Sequence, residues 1–210
     1  MSEPAAAQAI KAVLFDFGGV LAELRAEAHL LPLVTPRMTR EEMWTRWSYS
    51  PAVRAHETGT IGSEEFAQQV VREFEMHVSP EIFLAGFKRW IVGAFAETPA
   101  LIRDVSARYA TGFVSNTSAL HWPIIESLDI LPYMHHNFAS WQIGRIKPDR
   151  EYFDFVLETM GLKPHEAVFL DDSTVNIAAA SALGIHAQRV EGAGQARQAL
   201  VKMKLLPNIE

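Results

Sequence analysis

The sequence predicts an α/β fold built on a doubly wound parallel sheet, with a small helical unit inserted after the first strand. Three short apolar runs end in polar residues: AVLF before Asp16, GFV before Ser115 and Asn116, and AVFL before Asp171 and Asp172. Each reads as a buried parallel strand with a polar tip. Helical patterns separate them, and strand–helix alternation is the pattern of a parallel sheet covered on both faces. Residues 22–96 break that rhythm and read as a separate helical insertion.

Taken in order, MSEPAAAQAIK is a short leader, with Glu3 placed early and no basic stretch before an apolar block. AVLF is the first strand. The insertion carries Pro32, Pro36 and Pro51, a tryptophan-bearing segment EEMWTRWSYS and two signalled helices. Ser63 caps a run with Phe66, Val70 and Phe74 on one face, and Ser79 with Pro80 opens EIFLAGFKRWIVGAF. All of 22–96 is expected to be helical, leaving residues 1–21 and 97–210 for the sheet domain. Beyond it, Thr98 and Pro99 start a helix with Leu101, Ile102, Val105 and Tyr109 at helical spacing, ending at Gly112. After GFV, a helix over about 149–160 buries Phe153, Val156, Leu157 and Met160 and stops at Gly161. After AVFL, Ser173 caps NIAAASAL, Gly184 ends it, and IHAQRV is one more strand.

The chain of 210 residues, 49% apolar, suffices for one large core or a core with a small accessory unit. No apolar run is long enough to cross a bilayer, and with no signal peptide the expectation is a cytoplasmic protein without membrane attachment. There is no cysteine, so a bound metal must be held by oxygen or imidazole. A net charge of −6 argues against nucleic acid as a partner. An apolar face on the insertion helices is compatible with a homodimer.

In doubly wound sheets, ligands bind beyond the carboxyl ends of the strands, where the three polar tips converge. Asp16, the Ser115–Asn116 pair, Lys147 in GRIKPD and the Asp171–Asp172 pair occur in an order that resembles the haloacid dehalogenase (HAD) superfamily of aspartyl-phosphate hydrolases. The resemblance covers nearly the whole chain. It implies a Rossmann-like HAD core with a helical cap that closes over the site and selects the substrate.

It also implies roles. Asp16 corresponds to the nucleophile that takes up a phosphoryl group, and Lys147 to the lysine that pairs with it and neutralises developing charge. The Ser115 hydroxyl and the Asn116 backbone amide correspond to donors for the phosphoryl oxygens, the kind of help phosphoryl transfer needs. Facing carboxylates repel unless a cation sits among them, and hard oxygen ligands suit Mg²⁺. The metal is assigned to Asp16, the Gly18 carbonyl and Asp172. Asp171 then stands behind the ligands, fixing the lysine or a water. Asn176 either completes this network or makes only a first-turn hydrogen bond.

Gly18 departs from the superfamily's usual pattern, in which a second Asp acts as general acid and base. General acid–base help is worth roughly 10²- to 10⁴-fold. Its loss disfavours a mutase and favours esters whose leaving group needs little protonation. The bacterial α-glucose-1-phosphate phosphatase branch resembles this chain in having Gly there, with stretches like HETGTIGSEEF and SNTSALHWP. The resemblance thus implies a Mg²⁺-dependent phosphatase acting on a small phosphorylated metabolite, a sugar 1-phosphate favoured. The alternatives are a weakly active or inactive binding protein, motivated by Gly18, and a metal-free 2-haloacid dehalogenase, which the Asp171–Asp172 pair counsels against.

Other candidates are read more plainly. His56 and Glu57 in AHETG could replace the missing acid but are expected to be a helix-terminal pair before Gly59. His135 and His136 point apart on a strand and are expected to be structural or surface groups. Trp44, Trp47 and Trp90 are expected in the cap core rather than as a sugar-stacking wall. Arg145 either supports a phosphate beside Lys147 or is a solvated loop residue.

Overall fold

A computed structural model describes residues 10–34 and 38–208; the leader stretch 1–9 and Pro36 lie outside the described residues. Five parallel strands form the central sheet: β1 (Ala12–Phe15), β4 (Ala110–Ser115), β5 (His136–Ala139), β6 (Ala167–Asp171) and β7 (His186–Arg189). Their spatial order is β5-β4-β1-β6-β7. β1 is central, pairing Ala12 with Ala110 on one side and with Ala167 on the other. The chain moves to one side of β1 for β4 and β5 and to the other for β6 and β7. The crevice of the switch point therefore opens at the end of β1, where Asp16 follows Phe15.

All four residues of β1 are buried, and alternate side chains feed two cores. Val13, Phe15, Phe113, Val168 and Leu170 face one of them, together with Leu101, Ile102 and Val105 of α6 (Thr98–Ser106) and Ala196 and Leu200 of α11 (Gly192–Lys202). Leu14, Val114 and Phe169 face the other, together with Phe153, Val156 and Leu157 of α9 (Arg150–Met160) and Ala180 of α10 (Thr174–Ala182). The short helices α7 (Trp122–Ser127) and α8 (Ser140–Ile143) lie in the connections flanking β5.

The insertion has its own core. It comprises α1 (Ala26–Leu30), α2 (Arg40–Tyr49), α3 (Pro51–Glu57), α4 (Ser63–Glu73) and α5 (Pro80–Phe87). Met43, Trp47, Val53, Phe66, Val70, Phe74, Phe83 and Phe87 cluster between these helices. Burial of each such side chain is worth about 1.5–3 kcal/mol. The insertion is not all helical: Ala22–Leu24 (β2) and Ile91–Ala94 (β3) pair as an antiparallel ribbon at its base. The ribbon lets both chain crossings between the two parts share backbone hydrogen bonds. It also ends the helix that began at Pro80 well before IVGA.

Three local expectations change with it. Thr98 does not cap α6; it is its first residue, fully buried, and its hydroxyl donates to the Leu21 carbonyl at 2.7 Å, tying the two crossings together. Ser63 is the first residue of α4, after Gly62, and its hydroxyl meets His56 Nε2 at 3.1 Å. Gly112 is not a helix stop: α6 ends at Ser106, and Gly112 lies inside β4, where a Cβ would come within 2.7 Å of Leu14 Cδ2. Ser79 and Ser173 do cap their helices, and Gly161 and Gly184 take the positive φ that ends α9 and follows α10. Among the described residues no helix is long and apolar enough to cross a membrane.

Candidate active site

The crevice gathers residues that are far apart in sequence. Lys147, only 1% exposed, donates from Nζ to Asp16 Oδ1 at 2.8 Å and to Asp171 Oδ2 at 2.7 Å. Its loop is fixed by Asn116, which follows β4: the Asn116 amide donates to the Lys147 carbonyl, and its oxygen accepts from the Lys147 N–H, both at 2.9 Å. This two-way clamp went unread in the sequence, where only the Asn116 backbone was given a role. Ser115 is buried at the tip of β4, beside the same crevice.

Asp171 is completely buried and its carboxylate is fully engaged. Oδ2 accepts from Lys147 and from Asn176 Nδ2 at 3.0 Å; Oδ1 accepts from the Ser173 N–H at 2.7 Å and from Asn176 Nδ2 at 3.2 Å. Asn176 thus does both things the sequence left open. Its backbone N–H meets the Ser173 hydroxyl at 3.4 Å, and its side chain holds Asp171.

Asp16, Asp171 and Asp172 each present an oxygen within 4.8 Å of the others. Three carboxylates face one ammonium, so the cluster carries excess negative charge. Burial pushes Asp16 up to about 8, against the pull of Lys147 and with the help of Asp171 and Asp172. Burial and Asp171 push Asp172 up to about 6. For Lys147, burial opposes the charge, but Asp16 and Asp171 outweigh it and hold the amine above its usual range. A hard divalent cation fits this donor set, since it would let the carboxylates ionise together. With Asp171 saturated by donors, Asp16 and Asp172 are the side chains left to ligate.

Gly18 and Gly19 follow Asp16 closely for steric reasons. Gly19 has φ +78°, and a Cβ there would meet Asp172 Oδ2 at 2.4 Å. A Cβ on Gly18 would meet Leu24 Cδ1 at 2.5 Å, so a side chain at this position would require the half-buried Leu24 of β2 to turn aside.

Above the carboxylates lies a cavity of about 630 Å³, with Asp16, Ser115, Asn116, Lys147 and Asp172 on the core side. The cap side supplies Trp44, Trp47, Trp90, Phe87 and Glu57. The tryptophans were expected in the cap core. Trp47 and Trp90 are each 5% exposed with ring centroids 4.9 Å apart, yet all three also form cavity wall.

His56 and Glu57 end α3 before Gly59, as the sequence suggested, but they part company. His56 stacks on Phe66 at 4.1 Å inside the cap core, and burial lowers it to about 4. Glu57 turns to the cavity, and burial raises it to about 7 against the pull of the Trp47 indole, Lys147 and Arg54. His121, which lies in the SNTSALHWP stretch but was given no role there, also lines the cavity and donates from Nε2 to the Phe87 carbonyl at 2.8 Å. His135 Nδ1 lies 2.8 Å from the Thr111 hydroxyl and His136 stacks on Phe138, both remote from the crevice. Arg145 lies over the Phe155 ring at 4.5 Å and does not line the cavity.

A profile described as haloacid dehalogenase-like hydrolase matches residues 10–184. The chain belongs to that family. A D-ribitol-5-phosphate phosphatase of Bacteroides thetaiotaomicron is 24% identical over 203 residues, which cover 91% of this chain and 97% of the relative. A phosphatase of Mycobacterium tuberculosis is 24% identical over 201 residues, covering 92% and 93%. These names are in keeping with a phosphoric monoester hydrolase. A solved HAD family enzyme of Bacteroides thetaiotaomicron, in its magnesium complex, superposes with a TM-score of 0.70 at 25% identity, covering 92% of this chain and 98% of that one. These likenesses support the haloacid dehalogenase-like family and not specifically the α-glucose-1-phosphate phosphatase branch; one of the full-length relatives is a polyol phosphate phosphatase.

Proposed function

We propose that the protein is a phosphatase acting on small phosphorylated metabolites through an aspartyl-phosphate on Asp16. The observation that carries this reading is Lys147, held by Asn116 between Asp16 and Asp171 at the floor of an open, mixed polar and aromatic cavity. The Asp16 carboxylate attacks phosphorus and the bond to the leaving oxygen breaks. Lys147 neutralises charge on Asp16 and on the phosphoryl group, while the Ser115 hydroxyl and the Asn116 backbone N–H donate to phosphoryl oxygens. Asp171 and Asn176 position Lys147.

Asp16, the Gly18 carbonyl and Asp172 would hold Mg²⁺, the ion in the complex of the solved relative. The cation supplies charge neutralisation that lets an anionic ester approach an anionic nucleophile. Among substrates, a sugar 1-phosphate is favoured, because Gly18 provides no proton and an anomeric oxygen leaves more readily than a simple alkoxide. Phosphate release from a panel of sugar, polyol and aryl phosphates tests the reading. Release should need Mg²⁺ and vanish in Asp16→Asn; release that persists in Asp16→Asn would overturn it.

A further inference from the structure

Attack on phosphorus runs in line, so the leaving oxygen points away from the nucleophile. Asp16 is on the core floor, so the leaving oxygen of a bound ester is turned toward the cap side of the cavity. A proton donor for an unactivated leaving oxygen would have to stand there, and Gly18 has no side chain to supply one.

Few ionisable groups line that cavity. Arg40 is paired with Glu27 at 2.6 Å and Arg189 with Glu191 at 2.5 Å, and a guanidinium serves as a hydrogen-bond donor rather than an acid. Glu41 is exposed at the rim. His121 already spends its one neutral-state proton on the Phe87 carbonyl, and burial keeps it neutral. Lys147 is committed to two carboxylates, and Asp16 and Asp172 belong to the nucleophile and cation site. Glu57 remains: a partly exposed cap carboxyl at the end of α3, facing the cavity while its neighbour His56 turns into the cap core.

Resting on the phosphatase reading above, we infer that Glu57 is the general acid and base of this enzyme, supplied by the cap in place of the side chain absent at Gly18. As Asp16 bonds to phosphorus and the ester P–O bond breaks, the Glu57 proton passes to the leaving oxygen, releasing an alcohol and a carboxylate at Glu57. Water then attacks the aspartyl-phosphate, gives its proton to Glu57 and frees phosphate and Asp16. The raised proton affinity of Glu57 leaves much of it protonated near neutral pH. Protonation by Glu57 extends the substrate class to unactivated sugar and polyol phosphates, and it couples acid delivery to cap position.

The test compares a polyol phosphate with p-nitrophenyl phosphate in wild type, Glu57→Gln, Glu57→Asp and Asp16→Asn. Glu57→Gln should lower kcat on the polyol ester by about 10²-fold or more, with the loss falling within about tenfold on the aryl ester. Its leaving-group dependence should steepen. In wild type, kcat on the polyol ester should fall as pH rises through about 7, and Glu57→Gln should lack that limb. Glu57→Asp, which keeps the acid on a shorter stem, should recover part of the rate. Equal losses on both esters, or no loss on either, would overturn the role of Glu57 while leaving Asp16-dependent release intact. Release insensitive to Asp16→Asn would instead remove the phosphatase reading itself.

Discussion

Lys147 Nζ stands 2.8 Å from Asp16 Oδ1, an ion pair that joins the loop before α9 to the tip of the central strand. Both partners are buried, and the same ammonium also serves Asp171. Removing one partner of such a pair leaves an uncompensated buried charge, a cost of about 3–5 kcal/mol. Lys147→Met should therefore abolish turnover and lower stability by about that amount in urea titrations without Mg²⁺. Adding Asp16→Asn to Lys147→Met should restore part of the stability and none of the turnover.

Asn116 should matter through Lys147. Asn116→Ala removes two hydrogen bonds to the Lys147 backbone, each worth about 1 kcal/mol. A stability loss of about 1–3 kcal/mol is expected, with kcat reduced more than KM is raised, since the ammonium would lose its fixed place. Asn116→Asp, which keeps the acceptor, should fall between the two in both measurements.

Cation binding should stabilise the fold. Three carboxylates share one ammonium, so Mg²⁺ should raise Tm, by up to about 2.7 kcal/mol of added stability at a hundred times its Kd. Asp172→Asn should raise Tm in chelator, because it removes one repelling charge, and should shrink the Mg²⁺-induced rise. Thermal scans with and without chelator check both signs.

Gly18→Asp alone should cost about 1 kcal/mol or less, because the new Cβ meets Leu24 Cδ1, the free end of a half-buried side chain that can turn aside. Pairing it with Leu24→Ala should relieve that cost. If the double variant also raises kcat on alkyl phosphates in the Glu57→Gln background, the acid function has been moved from the cap to the core.

His56 sets an acid limit on the fold. Burial lowers its pKa from 6.5 to about 4, so between those values the unfolded chain binds a proton that the folded one does not. Stability should thus fall as pH drops from 6.5 to 4, by about 3 kcal/mol, and stay level above 6.5 for this group. His56→Phe should flatten that part of the profile in chemical denaturation measured across pH.

The sheet was legible because β1, β4 and β6 are buried on both faces and read as unbroken apolar runs ending at Asp16, Ser115 and Asp171. The ribbon was not, because β2 and β3 are very short and IVGA is as apolar as the helix before it. Caps shifted for a related reason: the Thr98 hydroxyl goes to Leu21, a tertiary partner 77 positions away, rather than to its own helix. The core half of the site could be inferred because strand tips converge in any doubly wound sheet. The cap half could not. His56 and Glu57 are neighbours about 100° apart around α3, and only the docking of the cap decides which one meets the cavity.

Single-turnover hydrolysis in heavy-oxygen water tests the central claim most directly, followed by mass analysis of the released phosphate and of the peptide bearing Asp16. Attack of Asp16 on phosphorus, with water then cleaving at phosphorus, predicts label in phosphate and none in the Asp16 carboxylate. Label in Asp16, the mark of an ester on carbon cleaved at the carboxyl group, would contradict it.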